Sequence, residues 1–472
     1  MKFDRPLRIH QQKVLDRFYA KNEAAIFHEM GTGKSTSAIA LLRSQYITHK
    51  EILPTLVISP VATLYNWENE FKINAPKNVQ NEVAVLYGSA AKRLAAIKSG
   101  KKIFITNPEM LQMTDVVTAL YKLGVQSIVI DESHKFKDHK SKRFKALAQL
   151  TRKAKYKIIM TGTPILNSYL DLWAQFYLLD GGKTLGENFY VFRNQYFMDK
   201  NERWKAKPGY FPDFAPRPDS DKELSKKIES VSSRVLKSEC LDLPPQVFET
   251  LHVELSAEQK KAYKSMAEEM IAFLKDAACA APNALTRVLR LLQIVSGHLE
   301  VENLDGVSFT SVFEDIPRIK LLKELLEEHC PRSKIIVWCT FSKNYAAVRR
   351  VCEELSLEFA ELTGETKDRQ SEIDRFNTDP KCRVMISNPQ AGGVGVNLTS
   401  SDISIYYSRN FSLGDRLQSE ARNHRGGSEI HKTITVLDIV AKDTIDEDVL
   451  EALLRKENYS DNVLDKLKQK FC

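Results

Sequence analysis

The sequence predicts an α/β protein with two parallel-sheet domains in tandem and a mainly helical insertion between them. Three observations carry this prediction. At 472 residues the chain is too long for one hydrophobic core. Short apolar runs alternate with amphipathic stretches in its first and last thirds, and the middle lacks that alternation. Because strands buried on both faces and separated by helices are typical of parallel sheets, each outer third is expected to form one.

The first domain is predicted over residues 1–180. After an apolar run at 24–27, short β-rich runs recur between helix-like segments. These runs cover residues 55–58, 83–86, 103–106, 127–130 and 157–160. Ligands of such sheets bind beyond the carboxyl ends of the strands, and polar residues follow each run here.

The second parallel-sheet domain is predicted over residues 316–455, where the same alternation returns. Its expected strands cover residues 334–338, 383–386, 403–406 and 433–437. Residues 181–315 are broken by glycine and proline and then carry longer helical patterns, which predicts the helical insertion. Residues 456–472 are expected to form a helical tail.

Composition and charge limit the function only weakly. Lys and Arg outnumber Asp and Glu by 69 to 61, and we expect this excess of +8 to be spread along the chain. It permits a polyanionic partner without requiring one. The seven cysteines form no C-x-x-C pair and no cluster with histidine at metal-ligand spacing. With no signal-like N-terminus and no long apolar run, we expect an intracellular, cytoplasmic protein without a membrane partner.

Residues 29–35, Glu-Met-Gly-Thr-Gly-Lys-Ser, give the clearest chemical signal. They separate a strand pattern from a helix pattern, so unpaired backbone N–H groups and the helix dipole can hold a phosphate there. Lys34 is expected to reach the β- and γ-phosphates, and Ser35 to bind Mg²⁺. The strict pattern has glycine at the position of His28. The expected nucleotide contacts here are Glu29, Met30, Gly31, Thr32, Gly33, Lys34, Ser35 and Thr36.

Asp131 and Glu132 follow a buried strand pattern about a hundred residues later. Asp131 is expected to hold Mg²⁺ through its water shell, and Glu132 to polarise an attacking water. One such acidic pair alone is common at a strand end. Combined with the phosphate-binding residues, it predicts a catalytic site that hydrolyses a nucleoside triphosphate.

Several strings, in order, resemble the Swi/Snf-type branch of superfamily-two helicases, the double-stranded DNA translocases. They are LVISP at 56–60, NWE at 66–68, DESH at 131–134, MTGTPILN at 160–167, TGET at 363–366, GGVGVNLT at 392–399 and QSEARNHRG at 418–426. The likeness covers about residues 5–455. It implies two RecA-like domains, ATP and Mg²⁺ as cofactors, and a compact viral or prokaryotic member of the branch.

The resemblance adds residues to the expected ATP site. It implies that Gln11 reads the adenine base and that Gly395 contacts the nucleotide. Gln418, Arg422 and Arg425 are expected to act in catalysis. The two arginines lie three residues apart on a predicted helix, so both can project from one face and stabilise charge on the γ-phosphate.

The resemblance also implies loops that grip a DNA backbone, and residues that couple them to ATP. Thr161 and Thr163 are the expected couplers. The expected DNA contacts are Ser59, Pro60, Thr106, Asn107, Gly364, Asn397 and Thr399. The chain departs from the family pattern at Ala62, at residues 409–411 (Arg-Asn-Phe) and at Ser428.

The function expected from these features is an ATP-dependent translocase on double-stranded or branched DNA that remodels DNA structures or protein–DNA complexes. One alternative is a strand-separating DNA or RNA helicase. Another, from a different class, is a non-catalytic scaffold that binds nucleic acid. Retention of Lys34, Asp131, Glu132, Arg422 and Arg425 argues against the scaffold.

Overall fold

A computed structural model of the protein describes residues 5–19, 21–165, 169–205, 212–275, 281–302, 308–390 and 396–455. The chain divides into two compact units, one up to Leu241 and the other beginning at Asp242. This division falls inside the insertion predicted over residues 181–315. That segment is therefore shared between the two units, and it contains strands as well as helices. The predicted tail at 456–472 lies outside the described residues.

The first unit contains a sheet of seven parallel strands. Its strands are β1 (Glu23–His28), β2 (Thr55–Ile58), β3 (Val83–Leu86), β4 (Ile103–Thr106), β5 (Ser127–Asp131), β6 (Tyr156–Met160) and β9 (Ser232–Val235). Their spatial order is β3-β4-β2-β5-β6-β1-β9. A separate antiparallel hairpin pairs β7 (Phe197–Asp199) with β8 (Phe214–Pro216).

Helices cover both faces of this sheet. Successive residues of β5 alternate between two apolar clusters, with Ile128 and Ile130 in one and Val129 in the other. The helices are α1 (Ile9–Phe18), α2 (Lys34–His49), α3 (Leu64–Asn74), α4 (Lys77–Gln80), α5 (Ala90–Ile97), α6 (Thr114–Leu123), α7 (Lys142–Lys153), α8 (Leu170–Asp180), α9 (Phe189–Tyr196), α10 (Ser220–Glu229) and α11 (Lys237–Cys240). Short 3₁₀ helices cover Val61–Thr63, Pro108–Gln112, Ser133–Phe136 and Glu202–Trp204.

The second unit contains a sheet of six parallel strands. Its strands are β10 (Gln246–Val253), β13 (Ile335–Trp338), β14 (Glu358–Leu362), β15 (Cys382–Ser387), β16 (Ile403–Tyr406) and β17 (Ile434–Ala441). Their spatial order is β10-β17-β16-β13-β15-β14. An antiparallel hairpin pairs β11 (His298–Glu302) with β12 (Ser308–Val312).

This sheet is also covered on both faces. Ile335 and Val337 of β13 pack in one apolar cluster, and Ile336 and Trp338 pack in another. The helices are α12 (Ala257–Lys275), α13 (Ala281–Val295), α14 (Pro317–His329), α15 (Ser342–Glu354), α16 (Arg369–Thr378) and α17 (Leu413–Glu420). A 3₁₀ helix covers Ser428–Ile430, and residues 445–455 are helical.

The predicted fold class is confirmed, and every strand predicted from an apolar run is present within about one residue of its expected start. The last strand of the second sheet runs further than expected, to Ala441. Seven strands were not predicted. Three of them, β9, β10 and β14, lie at the edges of the two large sheets, and the other four form the hairpins β7–β8 and β11–β12. Among the described residues, no helix combines the length and the apolar character needed to cross a bilayer.

Candidate functional site

The loop between β1 and α2 has the backbone expected of a phosphate-binding turn. Gly31 and Gly33 have φ angles of 84° and 85°, in the left-handed region that glycine adopts without steric cost. Gly33 caps the N-terminus of α2. A Cβ atom at Gly33 would lie 2.5 Å from Gln11 Nε2, so neither the dihedral angle nor the space favours a side chain there.

Lys34 is held at the carboxyl end of β1. Its Nζ donates to the carbonyl oxygens of His28 at 3.0 Å and Glu29 at 3.2 Å. The ring of His28 is fully buried and lies 3.0 Å from the hydroxyl of Ser233 on β9. Burial lowers the pKa of His28 to about 3, so the ring is neutral at ordinary pH. The imidazole therefore packs toward the neighbouring strand, away from the backbone that holds Lys34.

Helix α1 braces the same loop from the side. His10 Nε2 lies 2.8 Å from the carbonyl oxygen of Thr32, and Gln11 Nε2 donates to that of Gly33 at 3.2 Å. The amide oxygen of Gln11 also accepts from Arg8 N at 2.9 Å. The structure therefore places Gln11 against the phosphate-binding loop, while its contact with adenine stays a prediction.

The strand order brings three predicted motifs together at the carboxyl ends of neighbouring strands. Strand β6 lies between β5, which ends at the two carboxylates, and β1, which enters the phosphate-binding loop. Gly162 follows β6, and a Cβ atom there would lie 3.0 Å from Met30 Cγ. Thr161 N donates to Ile26 O at 3.2 Å. The segment with the predicted couplers thus packs directly against that loop.

Asp131 is a buried carboxylate surrounded by hydrogen-bond donors. Its Oδ2 accepts from Ser59 Oγ and from Trp67 Nε1, both at 2.9 Å, and its Oδ1 accepts from Glu132 N at 3.0 Å. Burial, and then the charge of Glu132, raise the pKa of Asp131 to about 6. The sequence strings contained Ser59 and Trp67, but these two roles were not predicted.

Glu132 is held rigidly beside Asp131. It has a φ of 51°, it is 2% exposed, and its Oε2 accepts from Thr161 Oγ1 at 3.2 Å. His134 Nδ1 lies 3.3 Å from the same oxygen and 2.8 Å from the Thr161 hydroxyl. Burial alone would raise the pKa of Glu132, but the His134 hydrogen bond and nearby positive charges lower it to about 2. Glu132 is therefore a carboxylate at neutral pH.

The donor set suits Mg²⁺ bound together with phosphate. Mg²⁺ prefers oxygen ligands and is usually held by one or two carboxylates plus substrate phosphates and water. Asp131 offers a buried carboxylate, and Ser35, half-buried on the first turn of α2, offers a hydroxyl. No group of three or more His, Cys, Asp or Glu side chains among the described residues could hold a metal ion by itself. The site thus fits an ion that arrives with a nucleotide.

All four predicted DNA contacts of the first unit, Ser59, Pro60, Thr106 and Asn107, are buried. The Thr106 hydroxyl accepts from Arg93 Nη1 at 2.9 Å, and Asn107 Nδ2 donates to Glu109 at 2.5 Å. Ser59 is fully buried and bonded to Asp131. Thr106 is the last residue of β4, whereas Asn107 follows β4 and Ser59 and Pro60 follow the adjacent strand β2. Because these side chains are buried, backbone atoms are better placed than side chains for a phosphate contact there.

The prediction that Arg422 and Arg425 lie on one helix is wrong. Helix α17 ends at Glu420, and both arginines lie in turns, so their spacing does not place them on one helix face. The turn packs against the segment that precedes β16. Leu398 N donates to Arg422 O at 3.0 Å, and Arg425 Nη1 donates to Val396 O at 3.3 Å. One backbone bond and one side-chain bond to residues distant in sequence therefore hold the turn that follows α17.

The arginine turn also lies near a predicted catalytic residue, Gln418, and near two predicted DNA contacts, Asn397 and Thr399. Gln418 lies on α17 and is buried, Asn397 is exposed, and the carbonyl of Thr399 lies 2.8 Å from His431 Nε2. Asn397 and Thr399 therefore lie beside the arginine turn. Gly364 follows β14 and is exposed, away from that packing. Gly395 lies outside the described residues.

Arg409, one of the departures from the family pattern, belongs to a buried chain of ion pairs. Arg409 donates to Asp438 at 3.2 Å and to Asp446 at 2.8 Å. Arg416 of α17 grips both oxygens of Asp438, at 2.6 and 2.8 Å. The chain continues through Arg318, bonded to Asp446, and Glu420, bonded to Arg416. Its three arginines and three carboxylates are all buried and balance in charge.

Trp67→Phe should shift the acid limb of any ATPase activity to higher pH. The change removes a donor from Asp131 while keeping an aromatic ring, so protonation of that carboxyl becomes easier and its pKa rises further. A hydrogen bond to a charged group contributes about 1.5–3 kcal/mol, equivalent to about 1–2 pH units. The dependence of kcat/KM on pH measures the shift, because this ratio reports ionisation of the free protein, before Mg²⁺ and nucleotide bind. Trp173→Phe is the matched control, because its indole donates to Gly186 O instead; an equal shift in both variants would contradict the role of Trp67.

Comparisons with known proteins agree with this geometry. The family model described as SNF2-related domain matches residues 10–298, and the one described as Helicase conserved C-terminal domain matches residues 317–427. The fold and site define a helicase-like protein with two parallel-sheet units and a phosphate-binding loop. The first model spans more than half of the chain. The protein belongs to the SNF2-related family.

The individual relatives have low sequence identity to this chain. The chain is 28% identical over 434 residues to an uncharacterized ATP-dependent helicase of Mycoplasma genitalium, covering 91% of this chain and 39% of that protein. It is 25% identical over 483 residues to the CHD3-type chromatin-remodeling factor PICKLE of Arabidopsis thaliana, covering 93% of this chain and 32% of that protein. This chain thus spans well under half the length of these two relatives.

Two further similarities extend over nearly the whole chain. The p41 protein of Acyrthosiphon pisum secondary endosymbiont phage 1 is 24% identical over 479 residues, covering 98% of this chain and 99% of that protein. Among solved structures, the Sulfolobus solfataricus SWI2/SNF2 ATPase core in complex with dsDNA is 24% identical with a TM-score of 0.44. That match covers 98% of this chain and 94% of the other.

Proposed function

We propose that the protein hydrolyses ATP in response to duplex DNA and uses this energy to move along the duplex, remodelling DNA structures or protein–DNA complexes. One observation carries the ATPase part. The phosphate-binding loop, the Asp131–Glu132 pair and the Thr161 segment lie together at the carboxyl ends of three adjacent strands, and direct contacts connect them. Family membership and the name of the Mycoplasma relative support ATP as the nucleotide.

In this proposal each residue of the first unit has a definite task. Backbone N–H groups of residues 31–35 and the Lys34 ammonium bind the phosphates. Ser35 and Asp131 would hold Mg²⁺, which supplies charge neutralisation at the phosphates when bound. Glu132, ionised and held by His134 and Thr161, orients the attacking water and accepts its proton.

Arg422 and Arg425 are the proposed catalytic arginines, which would stabilise charge on the γ-phosphate, and Gln418 on α17 is proposed to act with them. Gly395 is retained as a proposed nucleotide contact. The described packing of the arginine turn on residues 396–399 supports a shared role for these segments.

Contact with DNA is proposed to reach the ATP site through the carboxyl end of β2. The proposed phosphate-backbone contacts remain Ser59, Pro60, Thr106, Asn107, Gly364, Asn397 and Thr399, and at the four buried positions of the first unit the proposed contact is made by backbone atoms. Ser59 follows the same strand as Pro60 and is bonded to Asp131 at 2.9 Å. A shift of this loop on binding DNA would therefore alter the surroundings of the proposed Mg²⁺ ligand. Thr161 and Thr163 complete the proposed coupling on the other side of β5.

The test is ATP hydrolysis by the purified chain with duplex DNA, single-stranded DNA or RNA. We expect duplex DNA to stimulate hydrolysis most, and we expect the protein to displace a third strand from a triplex without separating the duplex. Stimulation by RNA alone would overturn the proposal. Duplex unwinding would instead favour the strand-separating helicase, and binding without hydrolysis would favour the non-catalytic scaffold.

A further inference from the structure

The positive charge of the chain is concentrated in one segment and is not spread as the composition led us to expect. Residues 133–157 contain ten lysines and arginines but a single acidic residue, Asp138. This segment therefore carries +9, whereas the whole chain carries +8. All of it lies in the first unit, and all other residues together are close to neutral.

Helix α7 presents part of this charge on one face. Lys142, Lys145 and Arg152 are exposed and follow a helical repeat, while Phe144 and Leu147 are buried on the opposite face. Lys153 extends the same exposed stripe. Because an α-helix rises 1.5 Å per residue, the stripe from 142 to 153 is about 16 Å long. We call Lys142, Lys145, Arg152 and Lys153 the α7 stripe.

Among the described residues, no carboxylate forms a direct ion pair with the α7 stripe. Lys142 and Lys145 have no carboxylate within 4 Å, and Arg152 Nη2 donates to the Tyr177 hydroxyl at 2.7 Å, with Glu187 as a more distant negative charge. The Lys153 ammonium lies 3.5 Å from the ring centre of Tyr121. A like-charged stripe of this kind repels itself, so a polyanion bound there is favoured electrostatically.

The N-terminal end of α7 is connected to a proposed DNA-contact loop. Arg143 Nη1 lies 3.3 Å from Glu109 Oε1, and the other oxygen of Glu109 accepts from Asn107 Nδ2 at 2.5 Å. Asn107 directly follows β4. The stripe thus begins beside a loop already proposed to touch a phosphate backbone, and extends away from it along α7.

We propose that the α7 stripe is an additional binding surface for the phosphate backbone of duplex DNA, which extends the contact beyond the strand-end loops. This inference rests on the proposed function, since it assigns a further DNA contact to the same enzyme. Lysines give sequence-independent contacts, which suit a protein that moves along DNA. An acidic protein partner is the competing occupant, and the test separates the two.

The test is the salt dependence of duplex binding by the variant Lys142→Gln/Lys145→Gln. Each lysine–phosphate contact contributes about 0.9 to the slope of log K against log salt concentration, so the slope should become shallower by about 1.8. Fluorescence anisotropy with a labelled 30-base-pair duplex, from about 50 to 200 mM NaCl, measures it. Neither lysine has a proposed part in ATP binding or hydrolysis. The variant should therefore hydrolyse ATP at the wild-type rate when DNA is absent.

The matched control is Lys261→Gln/Lys264→Gln, which removes the same charge from exposed positions on α12. Its slope should equal that of wild type. A wild-type slope in the α7 variant would overturn the stripe and leave the proposed function intact, and it is the result expected if an acidic protein is the partner. Absence of duplex binding by the wild-type protein would overturn both proposals. Unfolding midpoints of the variants verify that the fold is retained.

Discussion

Replacing Glu132 by glutamine is expected to lower ATP hydrolysis by about 10²–10⁴-fold and to leave ATP binding close to that of wild type. Glutamine has nearly the same shape as glutamate, so the contacts with Thr161 and His134 can be kept. It cannot accept a proton from water at neutral pH. The wild-type side chain is buried, and its lowered pKa keeps it ionised, which is the form that a general base needs.

Two measurements separate the chemical role of Glu132 from a structural one. Steady-state hydrolysis with saturating duplex DNA reports turnover, and the fluorescence of a labelled ATP analogue reports binding. Glu51→Gln is the control, because that glutamate is exposed and pairs with Lys102. Hydrolysis at the wild-type rate in Glu132→Gln would remove Glu132 from the mechanism. Loss of ATP binding would instead show that its main contribution is to hold the loop.

The fold was predictable where strands are buried on both faces. Residues 128–130 alternate between two apolar clusters, so every side chain there is apolar and the run stands out in the sequence. The edge strands β9, β10 and β14 lack this signal, whereas the edge strand β3 keeps an apolar run. Strand β10, with Phe248 and Val247 exposed, is covered over little of its length. Its place in the sheet depends on pairing with β17, nearly two hundred residues away, which no local pattern can show.

The site was predictable to the extent that its chemistry is local. The turn after β1 and the two carboxylates after β5 follow from short strings. The donors to Asp131 do not, since Trp67 is 64 residues away from it and reaches it only because β2 lies beside β5. The end of α17 is a second example. In the turn that carries Arg422, the backbone of Arg422 is bonded to Leu398. The helical periodicity of the sequence gives no sign of this bond.

Asp438→Asn is expected to destabilise the second unit by about 3–5 kcal/mol. Asp438 is buried on β17 between the guanidinium groups of Arg409 and Arg416. Asparagine keeps the size of the side chain but removes the negative charge. One of the three buried arginine charges in the chain of ion pairs is then left uncompensated, which costs far more than the loss of an exposed ion pair.

Urea unfolding of the full chain, followed by circular dichroism, measures this effect. Asp443→Asn is the control, since Asp443 is exposed and has a φ of 54°, which asparagine also tolerates. Its stability should stay within about 0.5 kcal/mol of wild type. A loss below about 1 kcal/mol in Asp438→Asn would show that water or backbone groups compensate the arginines.

The pH dependence of this difference tests the charge argument directly. Burial alone would raise the pKa of Asp438, but Arg416 and Arg409 lower it below its ordinary value. A carboxyl whose pKa is lowered by folding contributes stability above its unfolded pKa, and this contribution is lost as the pH falls through the folded pKa. The protonated Asp438 and the asparagine are both neutral. The stability gap between wild type and Asp438→Asn should therefore narrow on acidification, whereas a gap caused by altered packing would stay constant.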